Sequence, residues 1–232
     1  EQLVALQQQK DLDPMAVYEA LAIPDIQAAA DAMRGVYDST GGRDGYVSLE
    51  VSPFLAHDTQ GTLRDARRLW ATVGRPNVMI KVPGTAEGIP AIEELTAEGI
   101  NVNVTLLFSQ NAYEAVARAY LRGWQSAADP SRIASVASFF ISRIDSAVDK
   151  QLKAALKNDP ERLRQLKGKT AIANAKLAYQ LYKELFSGPD WEALKSRGAR
   201  PQRLLWASTG TKDPDYSDVM YVDELIGPDT VN

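Results

Sequence analysis

Short apolar runs typical of β-strands alternate along this chain with longer segments of helical periodicity, and no other feature constrains the fold as strongly. The predicted strands span 46–51, 77–82, 100–108, 133–140, 203–208 and, at the end of the chain, 229–232. Helical patterns lie between them, and the strongest runs from 170 to 186. A strand followed by a helix, repeated several times, predicts a parallel sheet with helices outside it.

Proline, glycine and hydroxyl residues set the predicted ends of the helices. Gly188 and Pro189 predict the end of the helix at 170–186, because proline lacks the amide hydrogen that would continue it. Either Thr59 or Thr62 is expected to cap the helix that ends at Gly74. Further helices are predicted at 1–10, 14–36, 88–99, 109–124 and 142–157, whereas 158–169 is predicted to be solvated surface.

The spacing between strands favours a (β/α)₈ barrel. No glycine-rich phosphate loop follows any strand, which argues against a Rossmann fold. Five or six strands can be recognised, so a barrel would need about two further units before Glu1. From Ser138 to Ser208 is 70 residues, which predicts an extra helical excursion in that unit. We expect residues 1–232 to form one domain of a longer chain.

Polar residues recur on one face of three predicted strands, near the carboxyl end of each. Alternate residues of a strand face opposite sides, so Lys81, Glu50 and Asn103 are expected to point into a barrel lumen. Thr105 continues the polar face of the third strand, while Leu106 is expected on the aliphatic face with the valines before it. Since catalytic groups of barrels lie at the carboxyl ends of the strands, these polar residues are candidates for a site.

A lysine among apolar neighbours has a chemical use. Burial would lower the pKa of the Lys81 ammonium below the ordinary value of about 10.4, so that the neutral amine could attack a carbonyl carbon. The protonated imine then draws electrons from a neighbouring C–C bond, and Glu50 could move the protons directly or through one water. Taken singly, Lys81 is more often an exposed strand end and Glu50 a surface carboxylate. The pattern by itself leaves the structural and functional interpretations balanced.

Composition excludes several other classes of site. The chain has no cysteine and a single histidine, which argues against thiolate or multi-histidine metal centres. His57 is expected in a loop or cap. A net charge of -4 gives no reason to expect nucleic acid as a partner, and the longest apolar runs are too short for a membrane helix.

Four segments together resemble the transaldolase family over most of the chain. They are SLEVSP (48–53), NVMIKVPGT (77–85), INVNVTLLFS (100–109) and LLWASTGTKDPDYSD (204–218). The closest similarity is to a branch in which some members are fused to glucose-6-phosphate isomerase. The resemblance implies a TIM (β/α)₈ barrel of the class I aldolase type, apparently without its first two strands in this chain.

The resemblance also implies catalytic roles at individual positions. Lys81 occupies the place of the Schiff-base lysine, and Glu50 that of a glutamate acting through a catalytic water. Asn103 and Thr105 match the polar pair that orients the dihydroxyacetone unit and this water. Lys81, Glu50 and Thr105 are therefore the expected catalytic residues. An aspartate that the family carries on its first strand is absent here, as is the TSNP-like segment of its second.

Substrate-binding positions follow in the same way. Ser138 matches a serine that contacts the substrate, although SFFISRI replaces the usual SPFVGRI-like run. Arg143 and Ser208 match residues that bind the substrate phosphate. Many relatives carry a second arginine soon after this serine, and here Lys212 is the candidate. A lysine would bind phosphate as a point charge and not as a bidentate fork.

The function implied is transfer of a dihydroxyacetone unit between sugar phosphates, from sedoheptulose 7-phosphate or fructose 6-phosphate to an aldose phosphate. This reaction needs no metal or organic cofactor and belongs to the pentose phosphate pathway, in the cytoplasm. Two alternatives remain open. One is a lysine aldolase related to fructose-6-phosphate aldolase, which would release free dihydroxyacetone. The other is a barrel that binds sugar phosphates without catalysis.

Overall fold

The structure, a computed structural model, describes residues 13–231. Within this range six strands form a parallel sheet in which each strand pairs with the next one along the sequence. The strands are β1 (Val47–Glu50), β2 (Val78–Pro83), β3 (Val102–Leu107), β4 (Ser135–Phe140), β5 (Arg203–Ala207) and β6 (Thr230–Val231). All six lie where the alternation of apolar runs predicts them.

Helices separate the strands in the described range. They are α1 (Pro14–Ser39), α2 (Thr59–Val73), α3 (Gly88–Ala97), α4 (Gln110–Ser126), α5 (Ser142–Ala155), α6 (Pro160–Leu166), α7 (Thr170–Leu185), α8 (Gly188–Ser196) and α9 (Met220–Leu225). The predicted α/β class is confirmed, and the sequential strand order is that of consecutive units of a (β/α)₈ barrel. Across residues 13–231, no ladder pairing joins β6 back to β1.

The two faces of β2 lie in different apolar clusters, as the alternation predicts. The residues of its outer face belong to the main core: Val78, Ile80 and Val82. Met79 faces the other way, into a smaller apolar cluster that includes Val136 of β4. Lys81 is two residues further along the Met79 face. This inner face therefore changes from apolar to polar toward the carboxyl end of the strand.

The alternation predicted for β3 is wrong at Leu106. Val104 pairs with Ala137 and Leu107 with Phe139, so β3 holds one residue more than its partner, which is a β-bulge. Leu106 adopts a φ of 63° and keeps 42% of its side chain exposed, while Leu107 is fully buried. A Cβ at Gly84 would lie 2.6 Å from the side chain of Leu107. Glycine after Pro83 thus makes room for the shifted leucine.

The structure differs from the helix predictions in three details. The cap of α2 is Asp58, whose carboxylate accepts from the Gly61 amide at 2.9 Å, and neither predicted threonine caps the helix. Helix α7 does end before Pro189, but this proline lies in the first turn of α8, a position where its missing amide hydrogen costs nothing. The predicted surface segment 158–169 is largely exposed, yet it contains the short helix α6, capped by Asp159.

Some predictions concern the ends of the chain. The helix predicted at 1–10 lies outside the described residues, as does Asn232. Pro14 begins α1 as predicted, and this helix runs for 26 residues with Ala30 as its fully buried position. Among the helices of residues 13–231, none combines the length and the apolar character that crossing a membrane requires.

Candidate active site

Lys81 and Glu50 lie side by side at the carboxyl ends of β2 and β1. The parallel register pairs them directly, and the Lys81 Nζ is 3.6 Å from a carboxylate oxygen of Glu50. The lysine side chain is 28% exposed and that of Glu50 43%, so the pair is partly buried and reachable from the carboxyl end of the sheet. The structure brings together the two residues that the sequence offers as nucleophile and proton carrier.

A chain of hydrogen bonds runs beside this pair across three strands. Asn103 pairs with Lys81 in the β2–β3 register and is buried. The Ser138 hydroxyl donates to the Asn103 side-chain oxygen at 2.7 Å, and the Asn103 amide donates to the Ser48 hydroxyl at 3.1 Å. These two bonds fix the orientation of the amide. Ser48 is absent from the predicted site, although its place on the polar face of β1 could have indicated it.

Thr105 follows Asn103 on the inner face of β3 and is 2% exposed. It lies within the bulge between Val104 and Leu107, and its carbonyl accepts a hydrogen bond from the Gly84 amide at 2.8 Å. The exit of β2 is thereby tied to the exit of β3. This contact fixes the Thr105 backbone at the end of the strand where Lys81 lies.

Ser208 and Arg143 are joined through Ser142. The two serine hydroxyls are 2.8 Å apart, and the Ser142 amide donates to the Ser208 carbonyl at 3.0 Å. Ser208 has a φ of 59°, so the chain turns sharply where β5 ends. The Ser142 contact links residues 66 positions apart, and sequence reasoning did not find it.

Arg143 is exposed at the start of α5 and rests on an aromatic pair. Its guanidinium lies 4.6 Å from the centre of the Phe140 ring, which stacks on Phe108 at 5.0 Å. Within the described residues this guanidinium forms no ion pair with a carboxylate. It therefore presents its donors to solvent at the carboxyl end of the sheet.

Lys212 lies in the loop between β5 and α9, four residues after Ser208. It lines a cavity between this loop and α5, together with Asp145, Asp149 and Tyr216. Its Nζ is 3.8 Å from the position that a Cβ would take at Gly210. The structure thus connects Arg143 with Ser208 through Ser142, and it shows no hydrogen bond of Lys212 to either residue within the described range.

His57 is in a loop, as predicted. Its side chain is 80% exposed, and its Nδ1 is 3.2 Å from Glu87, in the loop that follows β2. A backbone hydrogen bond and the contact with His57 lower the pKa of the Glu87 carboxyl. Among residues 13–231 no group of three or more metal-ligating side chains occurs. The groups that the structure gathers beside Lys81 are its amine, the Glu50 carboxylate, the Asn103 amide and the serine hydroxyls bonded to that amide.

Fold and site together define an α/β protein of the barrel kind with a lysine–carboxylate pair at the carboxyl ends of its strands. A family model described as Transaldolase/Fructose-6-phosphate aldolase matches residues 1–231. This chain belongs to the transaldolase/fructose-6-phosphate aldolase family.

Curated relatives agree with this assignment. The chain is 55% identical over 226 residues to "Transaldolase 2" of Nostoc sp. (strain PCC 7120), an alignment that covers 93% of this chain and 59% of the relative. It is 56% identical over 219 residues to "Transaldolase" of Thiobacillus denitrificans, covering 93% and 60%. The identity to "Transaldolase 1" of Streptomyces avermitilis is 56% over 212 residues, covering 90% and 55%. The chain therefore spans somewhat more than half the length of these relatives.

Proposed function

We propose that the protein containing this chain is a transaldolase, which moves a dihydroxyacetone unit from a ketose phosphate to an aldose phosphate. The observation that carries the proposal is the 3.6 Å approach of Lys81 to Glu50 at adjacent strand ends, in a chain of this family. A lysine amine beside a carboxylate is what imine formation and proton transfer require.

In the proposed reaction Lys81 Nζ attacks the ketose carbonyl, and loss of water leaves a protonated imine. The bond between the carbon next to the imine and the following carbon then breaks as the hydroxyl on that following carbon loses its proton. The bond's electrons pass to the imine as an enamine, and an aldose phosphate leaves. The enamine then attacks the aldehyde of an acceptor, and hydrolysis returns the free amine. Glu50 moves protons through a water, with Thr105 positioning that water. Asn103 and Ser138 bind the hydroxyls of the dihydroxyacetone unit.

Arg143, Ser208 and Lys212 bind the substrate phosphate in this proposal. Arg143 has the geometry that favours it, because its guanidinium is exposed and without a carboxylate partner among the described residues. A planar guanidinium binds two phosphate oxygens at once, whereas Lys212 would contribute a point charge.

The setting of the activity is part of the proposal. Residues 1–232 form part of one barrel domain, which strands elsewhere in the protein complete between β6 and β1. The reaction serves the pentose phosphate pathway in the cytoplasm. In the family branch that the sequence resembles, some members carry a glucose-6-phosphate isomerase domain on the same polypeptide. No nucleic acid or membrane partner enters the mechanism.

A second candidate activity comes from the family description itself, which also names fructose-6-phosphate aldolase. Such an enzyme would release dihydroxyacetone to water without an acceptor. Measuring dihydroxyacetone formed from fructose 6-phosphate, with and without an aldose phosphate, separates the two activities. If dihydroxyacetone formed as fast without an aldose phosphate as with one, the activity would be that of an aldolase and not of a transaldolase.

Trapping the imine tests the proposal directly. Borohydride reduction of the full-length protein with fructose 6-phosphate is expected to add a reduced three-carbon unit to the peptide containing Lys81. The variant Lys81→Met should give no adduct there. The matched control is Lys195→Met, since that side chain is 59% exposed on α8 and should leave trapping unchanged. An unmodified Lys81 in wild-type protein would favour a barrel that binds sugar phosphates without catalysis.

A further inference from the structure

Two buried carboxylates on α5 bind groups from separate parts of the chain. Asp145 and Asp149 are one helical turn apart and only 1% and 5% exposed. Asp145 accepts from the Tyr221 hydroxyl at 2.8 Å and from the Ala171 amide at 2.7 Å. Asp145 thus joins α5 both to the first turn of α7 and to α9.

The second carboxylate repeats this arrangement. Asp149 accepts from the Tyr216 hydroxyl at 2.5 Å and from the Gly168 amide at 3.1 Å. Gly168 has a φ of +73°, and a Cβ there would lie 2.8 Å from the Tyr216 ring. Only glycine therefore allows both the backbone turn and the close approach of the tyrosine.

An ionic cluster also holds the loop 208–219, between β5 and α9. The Asp213 carboxylate is 2.8 Å from the Lys167 ammonium and 3.1 Å from that of Lys153. Lys167 also lies 5.0 Å from the centre of the Tyr216 ring. Hydrogen bonds from these lysines and from the Asp215 amide hold the pKa of Asp213 well below its ordinary value. The carboxylate consequently stays ionised at all pH values near neutrality.

The direction of the tyrosine bonds is also fixed. Burial raises the pKa of both tyrosine hydroxyls, and the neighbouring carboxylates raise it further. Tyr216 and Tyr221 therefore remain protonated donors. Buried carboxylates rarely add stability over apolar side chains of the same volume, but they do restrict the chain to one geometry. What they restrict here is the segment 208–221, which contains Ser208, Lys212 and Tyr216 in the loop 208–219 and Tyr221 at the start of α9.

We propose that Asp145, Asp149, Tyr216 and Tyr221 are positioning residues that set the phosphate-binding geometry of the enzyme. Helix α5 carries Arg143 two residues before Asp145, and the loop 208–219 carries the other two phosphate ligands. The tyrosine–carboxylate bonds therefore fix the separation between the two halves of the phosphate site. This inference rests on the transaldolase activity proposed above.

The test compares donors with and without a phosphate in the full-length protein. Tyr216→Phe and Tyr221→Phe are expected to raise the KM for fructose 6-phosphate about tenfold, because misplaced binding groups lose much of their effect. The kcat with this donor, and the kcat/KM for fructose, should change less than about twofold. Tyr120→Phe is the matched control, since it loses a buried hydroxyl bond of 2.7 Å to the Arg200 carbonyl at the amino ends of the strands.

Inorganic phosphate provides a second readout. Its inhibition constant should rise in Tyr216→Phe and Tyr221→Phe and stay unchanged in Tyr120→Phe. If Tyr216→Phe or Tyr221→Phe fails to fold, Lys153→Gln removes one exposed arm of the ionic cluster, and it should raise the same KM by a smaller factor. Equal changes for phosphorylated and unphosphorylated donors, or no change in KM, would overturn the positioning role. Failure of the imine trap in wild-type protein would instead overturn the transaldolase activity.

Discussion

At the scale of single residues, the site depends on an ammonium and a carboxylate that share an opening at the carboxyl end of the sheet. The 3.6 Å separation of Lys81 and Glu50 is an ion pair in the structure. The Glu50 carboxylate is thus close to the reacting amine, and a water that enters beside the pair can carry protons between this carboxylate and a substrate oxygen. Glu50 can therefore be removed as a proton carrier without removing the nucleophile.

Replacing Glu50 by Gln separates proton transfer from imine formation. Gln has the same shape but cannot take a proton, so kcat for the transfer reaction is expected to fall about 10²–10⁴-fold, the usual contribution of a general acid or base. Lys81 should still be trapped by borohydride, though more slowly. Glu50→Asp, which keeps the acid, should recover part of the rate. A Glu50→Gln variant with wild-type kcat would remove this residue from the mechanism.

The Lys81–Glu50 part of the site could be predicted because it depends on two local properties. Alternation along each strand gives the inner face, and parallel pairing of neighbouring strands brings equivalent positions together. The contact of Ser142 with Ser208 could not be predicted, since it joins the start of α5 to the residue after β5 across a long helical excursion. No pattern within either segment indicates it.

At the scale of single elements, β3 decides which leucine enters the core. Strict alternation gives Leu106, but the bulge against β4 moves this role to Leu107. A bulge depends on how a strand pairs with its partner, so the sequence of the bulged strand alone does not predict it. The same limit applies to Pro189, since a proline can follow one helix or begin another. Predictions of strand and helix positions survive such errors because they rest on periodicity over many residues.

Two substitutions test which leucine of β3 the bulge places in the core. Leu107→Ala is expected to lower the free energy of unfolding by about 2–5 kcal/mol, the usual cost of removing a fully buried leucine side chain. Leu106→Ala should cost less than about 1 kcal/mol, because its side chain is 42% exposed. Urea denaturation of both variants checks this. A larger loss for Leu106→Ala would mean that the strand keeps its simple alternation.

At the scale of the whole molecule, the two ends of the sheet have different tasks. The carboxyl ends carry the lysine site, while Arg200 and Arg203 hold the loop 40–45 at the amino ends, Arg200 by donating to the Gly41 carbonyl at 2.9 Å. Arg203 donates to the Arg43 carbonyl at 2.6 Å and to the Asp44 carboxylate at 3.0 Å. Arg43 in turn pairs with Asp229 at 2.7 Å, next to β6. The loop before the first described strand is thereby held to the last one.

This division predicts that substitutions at the amino ends of the strands lower the stability of the protein without lowering its catalytic rate. Arg203→Ala should lower the free energy of unfolding by about 1–3 kcal/mol. The Arg203 side chain is only 14% exposed, and its removal leaves the Arg43 carbonyl and the Asp44 carboxylate without this donor. Arg34→Ala, which breaks an exposed pair with Asp38 on α1, should cost under about 0.5 kcal/mol. Urea denaturation and steady-state kinetics of the full-length protein measure both effects. Catalytic residues of barrels lie at the carboxyl ends of the strands, so kcat/KM should stay within about twofold of wild type in both variants. If kcat/KM fell about tenfold in Arg203→Ala without loss of stability, the amino ends would take part in catalysis.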